Sequence, residues 1–253
     1  MGLRRRADRL GDLPVQAGAG RHQRGAQQRL SGPRQAAAAS RDPGRGVHGD
    51  RARRAAEVRV SISVPRERLQ DGSTAIRPLE SSDLPALVEA RIRNREFLTE
   101  WEPTRDESFF TPAGQARELA LDDAAWRTAT GFPFAILDAD ARDHLIGRVA
   151  LANVVRGVWQ NATLGYWVSA DAGSRGHATR AVSLALRFAF EVAGLHRVQP
   201  AIMPRNARSK RVVEKCGFRH EGVALKYLKI NGVWEDHDLY AMTVEDWRDL
   251  HGK

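Results

Sequence analysis

The stretch Gly165-Tyr166-Trp167-Val168-Ser169-Ala170-Asp171-Ala172-Gly173-Ser174-Arg175-Gly176-His177-Ala178 reads as a strand, a turn of small residues and the start of a helix. The first N–H groups of a helix have no intrahelical partner, and the helix dipole adds partial positive charge at that end. Together they suit a pyrophosphate. Gly176 and Ala178 let phosphates approach the main chain closely, and Arg175 offers a charge-assisted contact. An ordinary tight strand-to-helix turn accounts for the same residues. The stretch is neither GxxxxGKS nor GxGxxG, which argues against a nucleoside triphosphate or a dinucleotide.

Downstream, Ala178 to Val192 has helical period but is apolar nearly all round, so it packs on more than one side, and Gly194 is its natural stop. Arg197 to Met203 reads as a strand. Asn206 then caps a short helix carrying Val212, Val213 and Cys216 on one face and closed by Gly217. Two strands, Val223–Ile230 and Glu235–Met242, are joined by an Asn231-Gly232 hairpin turn, and Val244 to Leu250 adds a last helical turn. By spacing alone, Asn206 is a helix cap and Ser209 is an unremarked residue of its first turn.

Upstream, Thr74 to Leu79 reads as a strand. Ser82 is the expected N-cap of a helix with Leu84, Leu87, Val88, Arg91 and Ile92 on one face. A loop follows at Trp101-Glu102-Pro103. A second helix is expected from Pro112 to about Thr128, ended by Gly131. Three strands come next: Phe134–Asp138, Leu145–Val154 and Ala162–Val168. The predicted order is β–αα–βββ–α–β–α–ββ, a mixed α/β sandwich without internal repeats.

Composition separates this domain from what precedes it. The chain has 253 residues and a net charge of +9. Residues 1–60 hold 14 Arg, no Lys and 5 acids, so the whole excess lies there, while residues 61–253 balance 26 bases against 26 acids. All 17 aromatic residues fall between Phe97 and Trp247. The first 60 residues therefore lack the apolar surface needed to offset ordering entropy, and a disordered basic tail is expected over 1–60 ahead of a domain at 61–253. Such an arm suits weak electrostatic contact with RNA or the ribosome. A solvated tail, or upstream sequence translated from a misplaced start codon, are the alternatives.

A lone cysteine, Cys216, excludes an intramolecular disulfide and a multi-thiolate zinc site, and the 8 His show no ligand spacing, so no metal is expected. No run approaches the ~20 apolar residues of a membrane span. Arg4, Arg5 and Arg6 are not followed by the apolar stretch of a secretory signal. A cytoplasmic location without membrane contact is the expectation.

From about Thr74 to Trp247 the chain resembles GNAT-fold acetyltransferases, and within them the ribosomal-protein-alanine N-acetyltransferase (RimJ/RimL) type. The resemblance rests on Trp101-Glu102-Pro103 with Arg105-Asp106-Glu107-Ser108, Asn153-Val154-Val155-Arg156-Gly157, and Leu164-Gly165-Tyr166. It continues through Met203-Pro204 with Asn206 and Ser209, Cys216-Gly217-Phe218, Glu221-Gly222, and Tyr227 to His237 with Gly232, Trp234, Asp236 and His237.

This resemblance implies a GNAT fold: a mixed, mostly antiparallel sheet flanked by helices and splayed between the strands ending near Val168 and Met203. Acetyl-CoA, as acyl donor, would occupy the opening. Its pyrophosphate would lie on the main chain around Ser174, Arg175, Gly176, His177, Ala178 and Thr179. Its pantetheine would pair with the strand edge at Trp167, Val168 and Ser169, and Asn206 would contact the cofactor arm. Ser209 falls where related enzymes place a general acid near the thioester sulfur. Glu102 is implied to hold or deprotonate the amine, with a surface carboxylate as the alternative. Tyr166 is either near the reaction centre or a core aromatic with a paired hydroxyl. Asp236 and His237 either contact the acceptor or make structural hydrogen bonds. The chain departs from the family pattern at Gly173-Ser174, where Gln/Arg-Gly is usual, at Thr163-Leu164, where a Glu is usual, and at Lys226, where an acid is common.

An N-terminal α-amine ionises near ~7.7–8.0 and a lysine side chain near ~10.4. A site lacking the usual Glu therefore suits the α-amine, which needs little help from a base. The leading expectation is acetyl transfer to a protein N-terminus, such as that of a ribosomal protein. A small amine acceptor (polyamine, amino acid or antibiotic) and a non-catalytic acyl-CoA-binding, ribosome-associated module remain as alternatives.

Overall fold

The computed structural model describes residues 64–252. The expected basic arm at 1–60, with its RNA contact, lies outside them. Eight strands form the sheet: β1 Leu69–Asp71, β2 Thr74–Pro78, β3 Phe132–Asp138, β4 His144–Val155, β5 Asn161–Val168, β6 Arg197–Ile202, β7 Arg219–Ile230 and β8 Val233–Thr243. Six helices accompany them: α1 Leu84–Arg93, α2 Arg95–Thr99, α3 Pro112–Thr128, α4 His177–Arg187, α5 Ala207–Lys215 and α6 Val244–His251. The spatial order is β1-β2-β3-β4-β5-β6-β8-β7. Among these neighbours the β5–β6 pair is parallel and the others antiparallel.

Period-two alternation builds the two faces of the sheet. Phe134, Ile136, Val149 and Leu164 point to one side and pack with Val182 and Leu186 of α4. Ala135, Leu137, Leu145 and Trp167 point to the other and pack with Leu87 and Ala90 of α1. The first face is anchored by Trp126, Phe132, Phe134 and Phe188, whose rings meet edge to face at 5.0–5.5 Å. α4 runs on as a π-helical segment, Phe188–Val192, before Gly194 (φ +60°) ends it.

Local chemistry corrects several expected boundaries. Ser82 is not the N-cap of α1. Asp83 holds that position, accepts from the Glu80 N–H at 2.8 Å and pairs with Arg77 at 2.7 Å, so a 3-10 turn at Ser81–Asp83 precedes the helix. α3 stops at Ala129, in the left-handed region with φ +51°, rather than at Gly131. Ile92 is exposed, whereas Arg91 on the same helix is buried. β1 and α2 are additions to the expected order.

The feature that matters most is where β5 and β6 part. Their parallel ladder runs from Asn161↔Arg197 to Leu164↔Pro200 and ends there. Pro200 brings no N–H to a ladder. β5 continues to Val168, still paired with β4, so Gly165–Val168 present an edge that no strand covers. β6 turns instead to β8, through Ala201↔Leu239 and Ile202↔Asp238.

Candidate active site

Two elements leave the opening between β5 and β6, the turn before α4 and the capped start of α5. Past β5 comes the turn before α4. Asn94, buried at the end of α1, organises it: its Nδ2 donates to Ser169 Oγ at 2.9 Å and its Oδ1 accepts from the Ala170 N–H at 2.9 Å. Ser174 (φ +61°) and Gly176 (φ +84°) both adopt left-handed backbone around Arg175. Gly176 is the N-cap of α4 and no side chain caps it. From Ser174 to Thr179, no main-chain N–H has a hydrogen-bond partner among the described residues. Successive N–H groups in alternating right- and left-handed conformations form an anion-binding concavity, and the start of an 11-residue helix adds its dipole.

The side chains around this turn divide by role. His177 is buried, with Nδ1 2.9 Å from Thr74 Oγ1 and Nε2 3.7 Å from Asp138, so only its main chain faces the turn. Burial pushes its imidazole below the usual range, and it stays neutral at pH 7. Arg175 reaches the same Asp138 at 3.2 Å while remaining half exposed. Arg180, which sequence reading did not single out, folds back to donate to the Arg175 carbonyl at 3.0 Å. The turn is thus flanked by two guanidinium groups.

Across the opening, Asn206 caps α5 by accepting from the Ser209 N–H at 3.1 Å, leaving its amide nitrogen without a partner among the described residues. The Tyr166 hydroxyl donates to the Ser209 carbonyl at 3.1 Å. Burial pushes the phenol upward, so it is protonated at any physiological pH. The Ser209 hydroxyl has no hydrogen bond among the described residues. Cys216 is buried beside Ser183 and the Thr179 carbonyl, and burial raises its thiol, so its surroundings are those of a packing residue.

On the opposite face of β5, a Cβ added at Gly165 would meet nothing within 4 Å, so there is open space over the strand. Two residues on, the Trp167 ring is buried and carries the Arg91 guanidinium 4.5 Å from its centroid. Arg91 Nη1 donates to both oxygens of Glu102, at 2.8 and 3.0 Å. Glu102 is therefore held by a buried cation beside β5. This wall borders a cavity of about 200 Å³ lined in part by Arg91, Arg95, Glu102, Arg105 and Asn231. The Asn231 N–H donates to the Glu102 carbonyl at 3.0 Å, closing the cavity against the β7–β8 turn. Arg205 fastens the same corner by pairing with Glu235 at 2.8 Å and lying 5.6 Å over Trp101.

The structure thus brings Trp167, Val168, Ser169 and the Ser174–Thr179 turn to one side of the opening and Asn206 and Ser209 to the other, with Tyr166 between. Glu102 lies on the opposite face, by the cavity. Asp236 accepts from the Lys226 N–H at 2.7 Å and holds a bulge in β7, while His237 Nδ1 lies 3.1 Å from the Glu235 carbonyl; both have structural partners. Asn94 and Arg180 carry no sequence signal, and Arg91 carries only that of a helix face, because an Asn at a helix end and an Arg on a helix are unremarkable until their distant partners are known. Among the described residues no cluster of three or more His, Cys, Asp or Glu could hold a metal, and no helix is long and apolar enough to cross a membrane.

These features fit a CoA thioester: an uncovered strand edge for an amide-bearing arm, and an uncapped helix start for phosphates. Residues 74–219 match the acetyltransferase (GNAT) domain family. The probable N-acetyltransferase YjcK of Bacillus subtilis is 37% identical over 171 residues, 68% of this chain and 94% of that protein. The [ribosomal protein uS5]-alanine N-acetyltransferase of Escherichia coli is 34% identical over 185 residues, 73% of this chain and 95% of that enzyme. Among solved structures, Mycobacterium smegmatis RimJ in complex with CoA-disulfide superposes with a TM-score of 0.65 at 28% identity, covering 71% of this chain and 88% of that one. The chain belongs to the GNAT family of N-acetyltransferases, with the fold of its RimJ/RimL-type members.

Proposed function

We propose that this acetyltransferase uses acetyl-CoA and acts on the N-terminal α-amine of a protein, as ribosomal-protein-alanine N-acetyltransferases do. The Ser174–Thr179 main chain and Arg175 would hold the pyrophosphate, the Trp167–Ser169 edge the pantetheine, and Asn206 the arm between them. Bound there, acetyl-CoA supplies an activated acetyl thioester. The protein must then remove one proton from the amine and provide one to the departing sulfur.

The observation that carries this reading is the arginine-lined cavity beside β5. Three guanidinium groups line it: Arg91 is paired with Glu102 and Arg95 with Glu107, while Arg105 has no ion pair among the described residues and tips the balance to positive. Positive surroundings disfavour an ammonium and lower the amine pKa. An α-amine near ~7.7–8.0 then becomes largely neutral at pH 7, whereas a lysine near ~10.4 stays charged. Glu102, already engaged by Arg91, orients the acceptor, and the proton that the amine loses on attack passes to solvent water. On the other side of β5, the free Ser209 hydroxyl is the proton source for sulfur, and Tyr166 fixes the helix turn that carries it. Their pairing supports a site that needs no Glu at Leu164.

The test is mass spectrometry of peptides with Ala or Ser at a free N-terminus, one internal lysine and N-formylated counterparts, each incubated with enzyme and acetyl-CoA. Acetyl groups on the free α-amine alone are expected. Modification of the lysine, or of the blocked peptides, would overturn the reading.

A further inference from the structure

The three cavity arginines are not equivalent. Arg91 is committed to Glu102, at 2.8 Å, and to the Trp167 ring. Arg95 is paired with Glu107 and lies 4.3 Å over the Phe110 ring. Arg105 has no ion pair among the described residues, yet its guanidinium is stacked 4.6 Å from the centroid of the buried Phe109 ring. A ring under an exposed guanidinium restricts its conformers and leaves its edge donors outward. The acids that follow it in sequence are occupied. Asp106 accepts from Ser108 Oγ at 2.6 Å and from the Phe109 N–H at 3.0 Å, and Glu107 holds Arg95.

Arg105 is therefore the one guanidinium among Arg91, Arg95 and Arg105 without an ion-pair partner within 4 Å among the described residues. It sits on the cavity side of β5 and shares the Phe109 ring with Arg91, whose guanidinium lies 5.4 Å from the same centroid. Glu102 does not balance it, being held by Arg91 through both oxygens. A planar guanidinium presenting free donors matches a carboxylate, in two parallel hydrogen bonds where geometry permits.

We propose that Arg105 is a specificity determinant that selects acceptor peptides bearing an Asp or Glu side chain within the few residues after the acetylated N-terminus. This inference rests on the protein N-terminus being the acceptor. It adds that the sequence behind the terminus is read by charge, and that the reading residue lies on the loop following Trp101-Glu102-Pro103. The neutralising environment of the reacting amine and the carboxylate-seeking guanidinium then act on different atoms of the same peptide.

The experiment compares kcat/KM for three peptides with the same Ala N-terminus, differing at one position (the third residue in one set, the fourth in another) as Glu, Gln or Lys. In the native enzyme the Glu peptide should exceed the Lys peptide by about tenfold or more, the value of one charge-assisted contact of about 1.4 kcal/mol. Arg105→Gln should bring the Glu-to-Gln ratio close to one, and Arg105→Glu should reverse the preference in favour of Lys. A ratio within one variant is insensitive to a general loss of folded enzyme. Equal rates for all three peptides in the native enzyme would overturn the inference and leave the peptide-acceptor reading standing. A preference for Glu that persists unchanged in Arg105→Gln would remove Arg105 from the role. Acetylation of free aspartate or glutamate with no peptide turnover would defeat both readings, since the carboxylate would then belong to a small acceptor.

Discussion

The Tyr166 hydroxyl donates to the main-chain carbonyl of Ser209 at 3.1 Å, tying β5 to the first turn of α5 across the gap where β5 and β6 separate. The bond holds the Ser209 hydroxyl at the mouth of that gap while leaving it without a hydrogen-bond partner among the described residues. Ordinary sheet pairing would close the gap. Here one side-chain hydrogen bond spans it beyond the last paired residues.

Ser209→Ala should lower kcat about 10- to 100-fold while the KM for acetyl-CoA changes less than about threefold, the pattern of a group acting as an acid in the transition state. Tyr166→Phe should cost about 1 kcal/mol of stability for the lost hydrogen bond and lower kcat less than Ser209→Ala does. Steady-state kinetics with urea unfolding separates the two. Proportional losses in acetyl-CoA affinity and kcat for Ser209→Ala would make Ser209 a binding residue.

The turn before α4 predicts opposite effects at neighbouring positions. Gly176 sits at φ +84°, and a Cβ there would meet Arg180 Nη1 at 3.0 Å, so Gly176→Val should weaken CoA binding at least tenfold and lower the Tm. Ser174 holds φ +61°, a conformation costing a non-glycine residue about 1–2 kcal/mol. Ser174→Gly should therefore stabilise the fold by up to about 1 kcal/mol after glycine's extra unfolded-state entropy is deducted. Calorimetric titration of CoA and thermal unfolding of both variants check this; wild-type CoA affinity in Gly176→Val would contradict the placement of the phosphates.

The Arg91–Glu102 pair predicts an asymmetric response. Arg91 is 7% exposed and Glu102 22%. Glu102→Gln leaves the deeper charge without its counterion and should cost about 2–3 kcal/mol. Arg91→Met removes that charge, keeps packing on Trp167 and leaves a carboxylate that water reaches, costing less, about 1–2 kcal/mol. Urea unfolding of both variants should give this order, and the reverse order would show that the pair is held from the carboxylate side.

Asp122 on α3 supplies the pH prediction. Burial pushes its carboxyl up to about 6, against the pull of Arg148. In the unfolded chain it ionises near ~3.9, so between these values the native state binds more protons and stability falls as pH rises. The loss amounts to about 3 kcal/mol between about pH 4 and 6, and stability from this group is flat above that. Asp122→Asn should remove this component. Unfolding free energies of both proteins at pH 4.5 and 7.5 should diverge in that sense, and parallel curves would refute it.

Much of the architecture was legible because it is encoded locally. The Asn206 cap accepts from Ser209 as its position implied, the Asn231-Gly232 turn takes positive φ at both residues, and α3 opens at Pro112. Boundaries failed where a neighbour with better geometry took over, as Asp83 did from Ser82 by satisfying the Glu80 N–H and Arg77 together. β1 was illegible because Leu69–Asp71 is too short to show a period and is defined by its pairing with β2. At the site, the Gly176 turn could be read from the strand-to-helix pattern. Asn94 could not, because its partners Ser169 and Ala170 lie 75 and 76 residues away. Arg91 looked like part of an apolar face, and what permits its burial is Glu102, 11 residues on, and the Trp167 ring beneath it.

The most direct test of the account is free-thiol release from acetyl-CoA by the full chain, measured in parallel with peptides bearing Ala, Ser or Met at a free N-terminus, with spermidine and with free amino acids. Release is expected with the Ala and Ser peptides at a kcat/KM at least about a hundredfold above any small amine. Release with the small amines and none with the peptides would contradict it.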